Sequence, residues 1–334
     1  KYSTMPLASS KRSCSIHNFF YLHSMKHFLH ETDFSKDEIS EVFERAFAYK
    51  SGRSHRPTND LFGQSWALLF YKNSTRTRVS FEVGIRELGG HPVILNQYAT
   101  QIGRGESIAD TVQVLSRFLD GLVIRTHGHE IIEEFAKYSK IPVINALTDF
   151  LHPCQIYADC MTILEQTGSS RNPYEGLKGK KVTFLGDTAC NMANSWILAG
   201  ALWDFEVSLG GPVEYQPSEQ ITHFCKDKNL TPSWAHSTDP SEAVKDADIV
   251  YTDVWVSMGC EEDTQDRLRL MDPYRVSSDL LRQAKPEALF MHCMPAHPGE
   301  EVEQEVLDSP QAILFDQAEN RLHMQKAILR NLSR

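Results

Sequence analysis

From Ser65 onward, short apolar runs alternate with longer stretches in which apolar residues recur every three or four positions. The first pattern predicts buried strands and the second predicts helices that cover them. Residues 66–71 read as a strand, followed by a polar loop and a helix over about 75–88. Further strands are predicted at 92–95, 121–125 and 142–146, with helical patterns between them. The series restarts with a β-like strand at 180–185 that ends in Gly186-Asp187, and a helix from about Asn191. Strands at 207–209, 249–254 and 288–292 follow, and a last helix covers about 318–332. Strands alternating with helices imply parallel sheets covered on both faces. The fold class is therefore α/β, with two doubly wound parallel-sheet domains joined by helices.

The amphipathic stretch 155–166 and the polar loop 167–178 separate the two halves. This divides the chain into domains at 25–165 and 166–315, with 316–334 a C-terminal helix packing back on the first domain. A length of 334 residues suits two domains of ordinary size. Residues 1–24 read as an N-terminal extension. They carry Lys1, Lys11, Arg12 and several serines without an acidic residue, a composition compatible with a targeting segment. Met25-Lys26-His27-Phe28-Leu29 looks like a natural start.

Composition narrows the function. A net charge of -10 argues against non-specific nucleic-acid binding, but a small anion needs only a local positive site. The longest apolar runs, such as 288–291, are too short to cross a bilayer. The seven cysteines are odd in number, irregularly spaced and without a C-x-x-C. That favours a reducing compartment over a disulfide framework. The expectation is a cytoplasmic protein, or one of the mitochondrial matrix if residues 1–24 are a native targeting segment.

The densest chemistry lies in Asn73-Ser74-Thr75-Arg76-Thr77-Arg78, between a strand and a helix. The first turn of a helix leaves N–H groups unpaired and carries positive potential. Hydroxyls and a guanidinium added there make a phosphate site. Helix capping by Ser74 or Thr75 would explain one hydroxyl but not the whole cluster. Arg125 and His152 stand near strand ends, where α/β sheets bind ligands. Asp253 ends an apolar strand, where a carboxylate needs a partner.

Ser74-Thr75-Arg76-Thr77-Arg78 resembles the carbamoyl-phosphate signature of the aspartate and ornithine carbamoyltransferases. The resemblance runs in order over nearly the whole chain from Met25. Thr100-Gln101-Ile102-Gly103-Arg104-Gly105-Glu106 is similar to the family's mobile phosphate-side loop, and His152-Pro153-Cys154-Gln155 to its His-Pro-x-Gln. Asp253-Val254-Trp255-Val256-Ser257-Met258-Gly259 and His292-Cys293-Met294-Pro295 resemble features of the ornithine branch. The resemblance implies transfer of a carbamoyl group from carbamoyl phosphate to the side-chain amine of ornithine, with no metal and no organic cofactor. It implies that residues 25–165 bind carbamoyl phosphate and residues 166–315 bind ornithine.

Residue by residue, it implies carbamoyl-phosphate contacts from Ser74, Thr75, Arg76, Thr77, Gln101, Arg125, His152, Gln155, Cys293, Met294 and Arg321. Asn191, Asp253, Ser257 and Met258 would bind ornithine. Arg125, His152, Asp253 and Cys293 would act in the reaction. The chemistry is coherent without the name. Arg76 and Arg125 can hold phosphate, Arg125 and His152 can stabilise an oxyanion, and Gln155 can bond the carbamoyl amide. A loop residue matching Gln101 reaches a neighbouring subunit in the family, which implies a homotrimer or a multiple of trimers. A free thiol titrates near about 8.5, so Cys293 could shape the alkaline limb of the pH profile. On composition alone, Asn191 could equally be a helix N-cap.

Two positions depart from the ornithine branch. Cys190 stands where a second Asn is usual, and Pro298 follows His297 where a basic residue is common. Rival readings fare less well. Gly186-Asp187-Thr188-Ala189-Cys190-Asn191 lacks the G-x-G-x-x-G of a dinucleotide site. His292 and Cys293, as strand neighbours, would point to opposite faces and form no dyad. His292, Cys293 and His297 have no recognised zinc spacing. Within the family, putrescine and acetylornithine enzymes are the nearest alternatives. Putrescine has no α-carboxylate, so the Ser-Met-Gly turn favours ornithine.

Overall fold

The computed structural model describes residues 25–72, 74–96, 105–256 and 264–333. Gln101, Ser257 and Met258, three of the expected contacts, lie outside them.

The first sheet contains β1 (Ser65–Phe70), β2 (His91–Asn96), β3 (Gly121–Arg125) and β4 (Val143–Leu147) in the order β2-β1-β3-β4. The second contains β5 (Lys181–Leu185), β6 (Glu206–Gly210), β7 (Trp234–Ser237), β8 (Ile249–Thr252) and β9 (Leu289–His292) in the order β7-β6-β5-β8-β9. All of these pairings are parallel. Runs such as Trp66–Leu69 and the whole of β8 are buried on both faces, which is why they read as continuous apolar segments. The sequence shows no signal for β7, whose half-exposed Trp-Ala-His-Ser lies at a sheet edge.

Strand order reverses between β1 and β3, and again between β5 and β8. Ligands of doubly wound sheets sit beyond the carboxyl ends of strands at such reversals. Register sets what emerges there. Phe70 pairs with Arg125, so Arg125 ends β3 beside the loop that leads to Ser74. Thr252 pairs with His292, so Asp253 and Cys293 leave the second sheet side by side.

The helix Pro153–Gln166 is buried along Pro153–Leu164 and is not the amphipathic element its sequence suggests. It packs against the C-terminal helix Leu314–Leu332, which also packs against the helices Lys36–Ser51 and Thr75–Glu87. A helix enclosed by other elements has no polar face to keep. The C-terminal helix thereby returns from the second sheet to the first domain. Near the start of the described chain, Phe28 exchanges main-chain hydrogen bonds with Val143 and Asn145 along β4.

Candidate active site

Ser74 occupies the N-cap of the helix Thr75–Glu87 and accepts from the Thr77 N–H at 3.3 Å. Capping therefore explains Ser74, as the sequence allowed, but not the rest of the cluster. Arg125 Nη1 lies 3.5 Å from the same Ser74 hydroxyl. Buried Thr77 accepts from Arg321, which the C-terminal helix delivers from the far end of the chain. Exposed Arg76 donates through Nη2 to the Met294 carbonyl at 2.6 Å. Met294 has a φ of 65°, a left-handed conformation in the short loop after β9.

Three guanidinium groups thus gather at one helix N-terminus. Burial, then the neighbouring Arg321 and Arg76, push the Arg125 pKa down to about 10. Burial also lowers that of Arg321. At neutral pH both remain charged, and a multiply charged anion would relieve their mutual repulsion.

His152 and Gln155 open the helix Pro153–Gln166. The His152 N–H donates to the Ser195 hydroxyl at 2.8 Å, fixing the backbone where the ring enters. Burial, Arg321 and Arg125 together hold the His152 pKa well below the usual imidazole value. The ring is neutral, so one of its nitrogens can donate without carrying charge. Gln155 donates from Nε2 to Asp159 at 2.8 Å. Arg125 Nε, His152 Nδ1, Gln155 Oε1 and Arg321 Nε are buried without a hydrogen-bond partner. Leaving such a group unpaired costs about 1–3 kcal/mol. Four of them beside the cationic cluster mark a ligand site.

On the second sheet, Cys293 Sγ donates to Asp253 Oδ1 at 2.9 Å, while Asp253 also accepts from the Val254 N–H. Burial and the Asp253 carboxylate push the Cys293 thiol well above its ordinary pKa. Cys293 therefore stays a thiol through the neutral and mildly alkaline range, against the expectation that its ionisation shapes the alkaline limb. His292 turns elsewhere: its Nδ1 accepts from the Met294 N–H, and its Nε2 faces Glu301 at 3.2 Å. The two neighbours form no dyad, as their strand positions implied.

The N-cap of the helix Asn191–Trp203 is Cys190, with no side-chain capping bond. Asn191 is thus not the cap; its Nδ2 donates to the Thr148 carbonyl at 2.7 Å, beyond the end of β4. The loop around Pro298 is pinned by Glu301, whose Oε1 accepts from the His297 N–H at 2.6 Å.

Gly186, at the end of β5, has a φ of 109°, and a Cβ there would lie 2.8 Å from Trp255 Nε1. Buried Trp255 thus fills the turn where a dinucleotide would place its pyrophosphate, a second argument against a dehydrogenase. Arg267 bonds both Asp187 and the Trp255 carbonyl and holds these turns together. Among the described residues, two donor groups lie close enough to share a cation: Asp253 with His292 and Cys293, and His297 with Glu300 and Glu301. The first is already hydrogen-bonded as described.

Sequence reasoning missed Asp159, Gln317, Glu301 and Arg267. None stands in a motif. Asp159 carried one signal, a carboxylate in an otherwise mostly apolar helix.

Comparison with known proteins accords with this geometry. Residues 26–165 match the family described as "Aspartate/ornithine carbamoyltransferase, carbamoyl-P binding domain". Residues 178–332 match its "Asp/Orn binding domain". The chain is 45% identical over 312 residues to a protein of Geobacter sulfurreducens named ornithine carbamoyltransferase, covering 92% of this chain and 99% of that one. The solved ornithine carbamoyltransferase of Pyrococcus furiosus superposes with a TM-score of 0.82 at 43% identity, covering 92% of this chain and 96% of that one. A mitochondrial ornithine carbamoyltransferase from Coccidioides immitis gives 0.81 at 34% identity, covering 91% and 96%.

Proposed function

The chain belongs to the aspartate/ornithine carbamoyltransferase family, and from that premise we propose how its residues carry out the transfer. It moves the carbamoyl group of carbamoyl phosphate to the side-chain amine of L-ornithine, giving L-citrulline and phosphate in arginine metabolism. The observation that carries the assignment of roles is the set of unpaired buried atoms on Arg125, His152, Gln155 and Arg321 beside Arg76.

Arg76, Arg125 and the N-terminus of the helix Thr75–Glu87, with Ser74, Thr75 and Thr77, hold the phosphate dianion. Arg321 supports them through Thr77. Neutral His152 and Arg125 donate to the carbamoyl oxygen, whose negative charge grows as the amine adds. Gln155 Oε1 and the main-chain carbonyls of Cys293 and Met294 accept from the carbamoyl NH2. Asp253 orients the amino-acid substrate with Asn191, Ser257 and Met258, and Cys293 positions its reacting nitrogen. The neutral amine forms the new C–N bond, the C–O bond to phosphate breaks, and the proton lost by nitrogen ends on the departing phosphate.

A homotrimer, or a multiple of trimers, would complete each site with the Gln101 loop of a neighbour. No helix among the described residues is long and apolar enough to cross a membrane. Cys154, Cys160, Cys190, Cys225 and Cys293 are all free thiols. The free thiols support a reducing compartment, the cytoplasm or, with a targeting segment, the mitochondrial matrix. The test is carbamoyl phosphate offered with a panel of amines. Ornithine should be preferred; a clear preference for putrescine, aspartate or acetylornithine would overturn the substrate assignment.

A further inference from the structure

Asp159 lies on the helix Pro153–Gln166 and is fully buried. Its Oδ1 accepts from Gln155 Nε2 and from Gln317 Nε2, each at 2.8 Å. Its Oδ2 accepts from the Tyr251 hydroxyl at 2.9 Å. These donors come from the same helix, from the C-terminal helix and from β8. Gln317 also accepts from the His292 N–H at 3.0 Å, immediately before Cys293. One carboxylate therefore ties Gln155 to the end of β9 through neutral donors alone.

An ionised carboxylate accepts hydrogen bonds and donates none. Gln155 must turn its NH2 towards Asp159, which leaves Oε1, buried and unpaired, on the ligand side. An acceptor suits an amide NH2. The reversed amide would meet that NH2 with a second donor, at a penalty comparable to an unmade buried hydrogen bond. A methyl group is close in size to NH2 and would be nearly indifferent to the orientation.

We propose that Asp159 is a positioning residue: it fixes which end of the Gln155 amide faces the ligand, and so selects a carbamoyl group over an acetyl group of the same shape. The inference rests on the carbamoyl-phosphate reading above. Asp159 touches no ligand and acts only through Gln155 and, by way of Gln317, through the backbone at Cys293. Burial holds the Asp159 carboxyl up at about 6, against the stabilising bonds from Gln155, Gln317 and Tyr251 and the charge of Arg321. The other titratable groups that sense it are Tyr251, Cys160 and Cys293. They remain protonated, being pushed up by burial. The orientation is therefore enforced above pH 6 and relaxes below it, where the protonated acid can also donate.

The experiment measures binding of carbamoyl phosphate, acetyl phosphate and inorganic phosphate to wild type, Asp159→Ala and Asp159→Asn. Wild type should prefer carbamoyl over acetyl phosphate. In Asp159→Ala that preference should fall by about tenfold, while inorganic phosphate, which needs only the arginines and helix N-terminus, should bind nearly as before. In Asp159→Asn the side chain donates as well as accepts, as the protonated acid does, so the preference should fall to the value wild type shows below pH 6. A proportional loss for all three ligands, or an unchanged preference, would reduce Asp159 to a structural residue. Should the alanine variant not fold, the pH series decides. The preference should drop below pH 6 in wild type and stay level at that lower value in Asp159→Asn, and identical profiles would overturn the proposal. Failure of wild type to bind phosphate or to prefer the carbamoyl ligand would instead overturn the site reading itself.

Discussion

Arg76 donates to the main-chain carbonyl of Met294 at 2.6 Å, although the two stand at the mouths of different sheets. The bond joins the phosphate-binding helix start to the loop that carries Cys293. A ligand phosphate and that carbonyl would compete for one guanidinium, so ligand arrival and the placement of the Cys293 loop are coupled. Arg76→Ala should fold normally, because the side chain is exposed. It should weaken binding or use of carbamoyl phosphate by roughly 2–5 kcal/mol. Steady-state kinetics on a variant with a wild-type melting curve checks this, and near-normal constants would remove Arg76 from the site.

The raised Cys293 thiol and the depressed His152 imidazole give a sign for the pH profile. His152 is deprotonated well below neutrality and Cys293 is protonated well above it. Neither changes state between pH 6 and 8.5. An amine like that of lysine titrates near about 10.4, so activity should climb with pH because the reactive amine becomes more abundant. Cys293→Ser should lower turnover and weaken ornithine binding, yet leave the midpoint of that climb in place. A displaced midpoint would mean that the thiol itself titrates there.

Glu31 offers a test of stability alone. Its carboxyl is fully buried, and burial, only partly opposed by the nearby Ser195 hydroxyl, raises its pKa to about 8. Between the ordinary carboxylate pKa and 8, the unfolded chain binds fewer protons at this group than the folded chain. This term in stability is therefore fully present below the unfolded pKa and declines as pH rises to 8. Glu31→Gln removes the ionisation. The variant should melt a few degrees above wild type at pH 8.5 and gain much less at pH 4.5, as scanning calorimetry would reveal. Equal shifts at both pH values would assign the change to packing.

Shared sites can be tested by complementation. Inactive Gln101→Ala and Arg125→Ala subunits, mixed and reassembled, should regain part of the wild-type rate, because some interfaces then hold one intact site. Verified mixed oligomers without activity, or a fully active monomer, would count against the trimer.

Much of the fold was legible because both sheets are parallel and enclosed. Their strands are apolar on both faces and stand out as runs, as at Trp66–Leu69 and Ile249–Thr252. The half-exposed edge strand Trp234–Ser237 lacks that signal, and the enclosed helix Pro153–Gln166 carries no clean stripe. In the site, Ser74, Arg76, Arg125 and His152 were legible because strand ends and a helix start place them by local rules. Asp159, Gln317 and Glu301 were not. Asp159 and Gln317 owe their places to partners far away in sequence, such as Gln317 to His292 and Asp159 to Tyr251, and Glu301 to a turn back onto His292. Local pattern carries no record of such pairings.

The return of the last helix to the first domain has a consequence for how the protein is made. The ribosome completes both sheets before it reaches Arg321, the residue that grips Thr77 beside the phosphate cluster. A nascent chain can thus possess the Ser-Thr-Arg-Thr-Arg turn, His152 and Cys293, yet still lack one wall of the pocket. Competence arrives with the final helical turns of synthesis, and a chain released before Arg321 lacks the group that grips Thr77.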